Sequence, residues 1–195
     1  MLVHWTLVLG LGWLAAVAWH VALLYATLGF RQFSHHFTTI RDALEDGDEA
    51  LARELLAQWR QVRVGEIPRS EIVCHAIEHS MIAAHRHVFG VFFWFLVPIG
   101  PAGVVLYRGA EYLARHWSDT SMERSPALGL FARQAFFVID YIPARLTAIG
   151  FSIVGNFEDA VYAWRNRAAK WNDEVNGILL AAGLGALLGP RLLRW

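Results

Sequence analysis

The chain has 195 residues, 56% of them hydrophobic and only 17% charged, with 17 basic side chains against 17 acidic ones. A soluble domain of this size carries about a quarter charged residues, and here the deficit sits in long uncharged runs, which indicates a membrane protein. Balanced charge without a basic stripe excludes an electrostatic footprint for nucleic acid, and a single cysteine, Cys74, excludes a disulfide framework or a multi-cysteine metal site.

From Leu2 to Phe30 no residue carries a full charge, and only His4 and His20 can gain one near neutral pH. A span takes about 20 apolar residues, so this run predicts a transmembrane helix over about 2–30. A cleaved signal peptide would open on basic residues and have a shorter apolar core.

Residues 31–87 are the one stretch able to build a soluble layer, and they read as three helices. The first runs on from the membrane to about Glu45, where Asp46-Gly47-Asp48 makes a turn with Asp48 as the next N-cap. The second covers about Glu49 to Val62, with Leu51, Leu55, Trp59 and Val62 on one stripe, and the two pack as a helical hairpin. His35 and His36 are adjacent, point to different sides of their helix, and are expected at the interface. After Gly65 and Pro68, Ser70 is placed to cap a third helix that feeds into the next apolar run.

On a wheel of about 100° per residue, Glu71, His75, Glu78, His79, His85 and Arg86 of this third helix fall within one arc of about 120°. This is the densest collection of reactive groups in the chain and the candidate functional polar face. His75-Ala-Ile-Glu78-His79 also has the H-x-x-E-H spacing, which sets two imidazoles one turn apart beside a carboxylate, as in inverted zinc metallopeptidases. Such sites need a third ligand from a soluble fold that nothing here resembles. No metal is therefore assigned, His75 and His79 being the only residues that hint at one, and a solvated or headgroup-facing stripe is the plainer reading.

The second apolar run, Val88–Tyr107, contains Pro98, Gly100, Pro101 and Gly103, so its middle cannot keep an unbroken helix ladder. It is expected to be broken or re-entrant, or simply kinked. The third run, Ala135–Gly155, encloses Asp140, Pro143 and Arg145. A charge at the bilayer centre costs roughly 2.5–3.5 kcal/mol on insertion scales, so these must face protein, water or each other. Pro143 suits the first turn of a helix, which predicts a half-span from Pro143 to Gly155 with Asp140 just before its positive end, and Arg145 paired with an acid such as Glu78 or Glu111. Asn156–Trp171 reads as an amphipathic helix on the membrane surface, with Phe157, Val161 and Trp164 set against Glu158, Arg165 and Lys170. Val175–Gly189 reads as a short span or interfacial helix, with Gly185 and Gly189 spaced for close packing and Arg191, Arg194 and Trp195 as anchors.

If all four runs cross, ten Arg and Lys lie on the side of residues 31–87 and 156–174 and six on the other, which places the larger segment in the cytoplasm. The fold expected is an all-α integral membrane protein, one membrane domain over 1–195 with about four membrane-associated segments (2–30, 88–107, 135–155, 175–189) and a small cytoplasmic hairpin layer over 31–87. The lipid bilayer is its first partner, with a membrane protein or a second copy of the chain as further company.

Three pieces carry a family resemblance: Glu71 through Phe93-Trp94, the Gly-Pro-x-Gly-x-x-x-Tyr-Arg stretch at Gly100–Arg108, and Asp140-Tyr-Ile-Pro-Ala-Arg-Leu-Thr147. Together with the hairpin near Ala43–Asp48, they resemble the bacterial inner-membrane superfamily of the cobalamin-biosynthesis CbiB/CobD-type synthase and the AmpE-like signalling protein. The resemblance spans nearly the whole chain, and implies a multi-pass protein of the inner membrane. Family members usually have a further amino-terminal segment, so the chain looks short at its start.

The synthase branch implies amide-bond formation between an aminopropanol, or its phosphate, and the corrinoid cobyric acid, with Mg²⁺ as a cofactor. Its members show Glu-Asn at the positions of Glu78-His79, an Asp after the Tyr-Arg, and an acidic pair at the positions of Phe136-Phe137. Here Glu78 and Pro143-Ala-Arg145-Leu146 are kept and the others replaced. The signalling branch resembles the chain more closely around Asp140, and a non-catalytic sensing or regulatory member is the preferred expectation, with the synthase as the alternative.

Overall fold

The computed structural model describes residues 13–27, 30–60, 65–97, 101–120, 126–168 and 174–188, and among these every regular element is helical. In chain order they are α1 (Trp13–Thr27), α2 (Phe30–Glu45), α3 (Glu49–Arg60), α4 (Arg69–Ala84), a π-helical turn (His85–Phe89), α5 (Gly90–Leu96), α6 (Pro101–Thr120), α7 (Pro126–Val154), α8 (Phe157–Arg167) and α9 (Glu174–Leu188). Residues 1–12 of the first run, Val62, Pro98, Gly100, Lys170, Trp171, Gly189, Arg191, Arg194 and Trp195 lie outside the described residues.

The helices divide into two compact units. One takes in α1, the π turn from Arg86 onward, α5, α6, and α7 as far as Thr147; the other takes in α2, α3 and α4 as far as His85, and the chain from Ala148 through α8 and α9.

In the second unit the expected hairpin forms. Asp48 caps α3 by accepting the Leu51 amide at 2.9 Å, and Gly47 takes the left-handed conformation, φ 80°, that the turn requires. The buried stripe of α3 is Ala52 and Leu56, flanked by partly buried Leu55 and Trp59, while Leu51 is exposed. The hydrophobic face is thus one position away from the expected one, because tight α2–α3 packing favours Ala52 at the crossing. Ile40, Ala43, Leu44, Ile72 and Ala76 complete this core. Ser70 does not cap α4: the helix begins at Arg69 behind Pro68, whose fixed φ of −67° starts the first turn without a side-chain cap.

The last two helices pack closely within the second unit. Val175, Ile178 to Ala182, and Leu184 are buried, so α9 is a core helix of its unit. Its small residues serve packing inside the unit: a Cβ on Gly185 would stand 2.7 Å from that of Ala163 and 2.8 Å from the Asp159 carbonyl oxygen of α8. The buried face of α8 is therefore Ala160 and Ala163, and Phe157 is exposed. Asn156 caps α8 through the Asp159 amide at 3.2 Å.

In the first unit, the run Val88–Tyr107 is broken. The residue before a proline is pushed out of the helical region, and Val97, which precedes Pro98, is extended at ψ 146°. α5 and α6 then fold back on each other. The side of Gly90 meets the Tyr107 phenol, and a Cβ on Gly103 would lie 2.6 Å from the Trp94 carbonyl oxygen. The apolar run is a close helical hairpin around Val91, Val104 and Tyr107.

α7 corrects the half-span. It is one continuous helix of 29 residues with Pro143 buried inside it. At about 1.5 Å per residue it reaches about 44 Å, more than a hydrocarbon core. Proline removes one ladder bond without ending the helix when surrounding packing holds it, and Ala144 and Ala148 beside it are fully buried. Among the described residues, Ala127–Val154 is the one helix long and apolar enough to cross a membrane, and Val175–Leu187 is a shorter apolar helix.

Candidate functional site

The polar arc of the third predicted helix does not hold together. His75 Nδ1 stands 3.1 Å from Glu78 Oε2, an i, i+3 pair on a part-buried face. His79 turns away to the edge of Trp59, 4.6 Å between ring centroids, and Trp59 stacks on His36 at 5.8 Å. His75 and His79 are thus drawn to different partners instead of a common ion. Glu71 is half-buried. Its charge and that of Glu78 reinforce burial at Cys74, whose thiol is pushed up to about 11, mainly by desolvation. His85 is completely buried. Arg86 belongs to the other unit, where its guanidinium lies 5.6 Å from the centre of the Phe136 ring. A uniform wheel cannot describe this segment, because the π turn over His85–Phe89 holds more residues per turn and redirects those that follow.

The residues expected at membrane depth, Asp140, Pro143 and Arg145, fare differently. Asp140 is 1% exposed and accepts a hydrogen bond from the Tyr107 hydroxyl at 2.9 Å. Tyr107 also packs against Phe136 at 5.7 Å, which brings Arg86, Phe136, Tyr107 and Asp140 into one cluster. Arg145 lies on the ring of Tyr141, one turn back on α7, with its guanidinium carbon 3.3 Å from the ring centre and Nη1 donating to the Tyr141 carbonyl at 3.1 Å. Of the two acids expected as its partner, Glu78 stands beside His75, and Glu111 is taken by Arg108 and Arg115.

Glu111 is 3% exposed and accepts from Arg108 at 2.8 Å and from Arg115 at 2.5 Å. Sequence reasoning named Glu111 only as a partner for Arg145, although Arg108-x-x-Glu111-x-x-x-Arg115 has the i, i+3 and i, i+4 spacing that predicts this triad. His87 was also missed. It lies within electrostatic reach of Arg108, Glu111 and Arg115, and its Nδ1 is buried without a hydrogen-bond partner. Burial first, then the Arg108 charge, hold its imidazole down at about 4. The first unit therefore gathers three guanidiniums, a neutral imidazole and two buried carboxyl groups around the end of the α5–α6 hairpin.

Among the described residues no group of three or more His, Cys, Asp or Glu is placed to hold a metal ion. With Glu111 held by arginines and Asp140 by Tyr107, this donor set does not fit Mg²⁺, and no step is routed through it.

The family model described as CobD/Cbib protein matches residues 1–192. The chain belongs to the CobD/Cbib protein family. The cobalamin biosynthesis protein CobD of Chromobacterium violaceum is 35% identical over 167 residues, covering 86% of this chain and 53% of that protein. The protein of the same name from Stutzerimonas stutzeri is 32% identical over 188 residues, covering 95% of this chain and 60% of that protein. A probable cobalamin biosynthesis protein CobD of Archaeoglobus fulgidus is 28% identical over 179 residues, covering 89% and 55%. The chain thus spans between half and three-fifths of the length of these curated relatives. No solved structure matches it.

These findings overturn the preferred expectation of a non-catalytic sensing or regulatory member, since the relatives carry cobalamin-biosynthesis names and no AmpE-like link accompanies them. The expectation gave weight to the replaced acids at Phe136-Phe137 and overlooked Glu111, a buried carboxylate in the segment just after Tyr107-Arg108.

Proposed function

We propose that the chain acts in cobalamin biosynthesis as a CobD-type protein, joining the amine of an aminopropanol, or of its phosphate, to a carboxyl group of a corrinoid acid in an amide bond. The observation that carries this reading is the likeness to CobD proteins over nearly the whole chain, including the segment with Tyr107, Arg108, Glu111 and Asp140. The arginines at the end of the α5–α6 hairpin supply the positive charge that a carboxylate or phosphate needs for positioning. The corrinoid and the amino alcohol are substrates in this reading.

The same reading places the chain in the bacterial inner membrane, with α7 crossing it, the α5–α6 hairpin entering from one side, and the α2–α4 segment in the cytoplasm. The outward row Val138, Ile142, Leu146, Ile149 and Ile153 on α7 is exposed and apolar, as a lipid-facing surface requires. Expression in a bacterial strain deleted for its cobinamide synthase and fed cobyric acid tests the activity. Restored cobalamin-dependent growth is expected, and no growth despite normal membrane insertion overturns it.

A further inference from the structure

The two faces of α8 have different surroundings. At about 100° per residue, Glu158, Val161, Tyr162 and Arg165 share one arc of about 100°. It lies opposite Ala160 and Ala163, which are fully buried against α9. Trp164, at the margin of the buried face, packs on Ala148, Ile178 and Ala182. The outward face is not the polar one that a water-facing helix presents, because Tyr162 is 54% exposed and Phe157, at its edge, 57%.

The same end of the second unit gathers further apolar surface. The end of α7, the start of α8 and the end of α9 meet there. A Cβ on Gly155 would lie 2.6 Å from that of Ala186, and the Asn156 amide donates to the Ala186 carbonyl at 3.1 Å. Around this junction Ile153, Val154 and Leu187 are 71%, 89% and 66% exposed. No charged residue lies between Arg145 and Glu158, so the first charge past the apolar carboxyl end of α7 is on α8 itself. Exposed apolar patches rimmed by polar residues mark contact with a membrane or a partner. This patch continues the surface of α7, the one described helix long and apolar enough to cross a membrane. Its rim carries Tyr162 and Arg165, an aromatic and a basic residue of the kind that settles at a membrane–water boundary, which favours lipid.

We propose that this junction docks in the bilayer leaflet at the carboxyl end of α7. Ile153, Val154, Phe157 and Leu187 enter the acyl region, and α8 lies along the headgroup layer, with Tyr162 at the boundary and Arg165 among the phosphates. Glu158 balances Arg165 on this face, so a zwitterionic phospholipid suffices as partner. The proposal rests on the crossing of α7 given above, and adds that the chain beyond α7 stays at the bilayer surface instead of leaving it.

The test places single cysteines in the full chain carrying Cys74→Ala and labels each with a nitroxide. Collision with oxygen is compared with collision with a water-soluble nickel complex, in phosphatidylcholine nanodiscs. Ile142→Cys on α7 reports the crossing and Leu51→Cys on α3 reports water, whereas Val154→Cys, Phe157→Cys, Arg165→Cys and Leu187→Cys report the junction. All six positions are exposed, where substitution disturbs folding little. Labels at Val154, Phe157 and Leu187 should prefer oxygen as the one at Ile142 does, the label at Leu51 should prefer nickel, and the one at Arg165 should fall between. Oxygen preference at Ile142 with nickel preference at Phe157 and Leu187 overturns the docking and leaves the crossing standing. Nickel preference at Ile142 refutes the crossing, and the preference at the junction then still decides the docking. Labels at Phe157 and Leu187 that are immobilised and shielded from both reagents mean that protein covers the junction, which also overturns the proposal. The unaltered chain gives a second reading: a phosphatidylcholine with a diazirine on its acyl chain should crosslink to residues 149–165, and absence of label there overturns the docking.

Discussion

The Tyr107 hydroxyl donates to Asp140 Oδ1 across 33 positions of sequence, and both residues are shielded from solvent. This bond ties α6 to α7 through a polar contact that Phe136 covers from one side. A hydrogen bond to a carboxyl group in such surroundings contributes about 1.5–3 kcal/mol when its partner is ionised, and removing the donor alone leaves an acceptor to desolvate. Tyr107→Phe is expected to lower stability within that range in a denaturant titration in detergent. A double-mutant cycle with Asp140→Asn should show coupling, and strictly additive effects would exclude the bond as an energetic link.

The α5–α6 hairpin rests on close approach at two glycines. Gly103→Ala places a methyl group 2.6 Å from the Trp94 carbonyl oxygen, which is backbone and cannot turn aside. Gly109 on the same helix has no neighbour within 4 Å of its added Cβ. Gly109→Ala should therefore be neutral or stabilising by up to about 1 kcal/mol through helix propensity, and Gly103→Ala clearly destabilising. Comparable midpoints for the two variants would argue against the hairpin.

His87 sets a pH dependence. Its folded value, held near 4 by burial and by the arginines, lies below the ordinary 6.5, so between those limits the unfolded chain binds more protons than the folded one. Stability from this residue is complete above pH 6.5 and falls as pH drops toward 4. His87→Gln should flatten the stability profile in that window relative to wild type. An unchanged slope would mean that His87 ionises freely in the folded chain.

Cys74 is the one cysteine of the chain, and its thiol is buried and pushed up to about 11 beside Glu78 and Glu71. Thiolate is the reacting species, so alkylation by iodoacetamide at pH 8 should be slow in the native protein and fast once α4 unfolds. Rapid labelling of the native protein would show that this face of α4 opens readily.

Much of the fold was legible in the sequence where local chemistry decides. Asp46-Gly47-Asp48 gave the α2–α3 turn and its cap, and Pro98 to Gly103 gave the break in the second run. Pro143 misled, because a proline marks a helix start only if nothing else holds the preceding turn, and here buried packing does. The site was less visible for a related reason. A wheel ranks residues by angle on one helix, which gathered Glu71 to Arg86, whereas the buried polar cluster of the first unit joins residues distant in sequence, Arg86 with Phe136, Tyr107 with Asp140, and Arg108 with Glu111 and Arg115. The Arg108, Glu111 and Arg115 spacing, i, i+3 and i, i+4 on one helix, was readable on its own.

The turn from His85 to Phe89 also bears on how lengths vary among relatives. A π turn accommodates one residue more than the α-helical ladder needs without interrupting the helix. Removing a single residue there would let the segment anneal into ordinary α-helix and rotate everything beyond it by about 100° relative to what precedes. Arg86 and His87 would then leave the side of Tyr107 while every residue type in the cluster was still present. For this segment the number of residues matters as much as their identity, and a relative one residue shorter between His85 and Phe89 would keep the composition of the cluster but not its assembly.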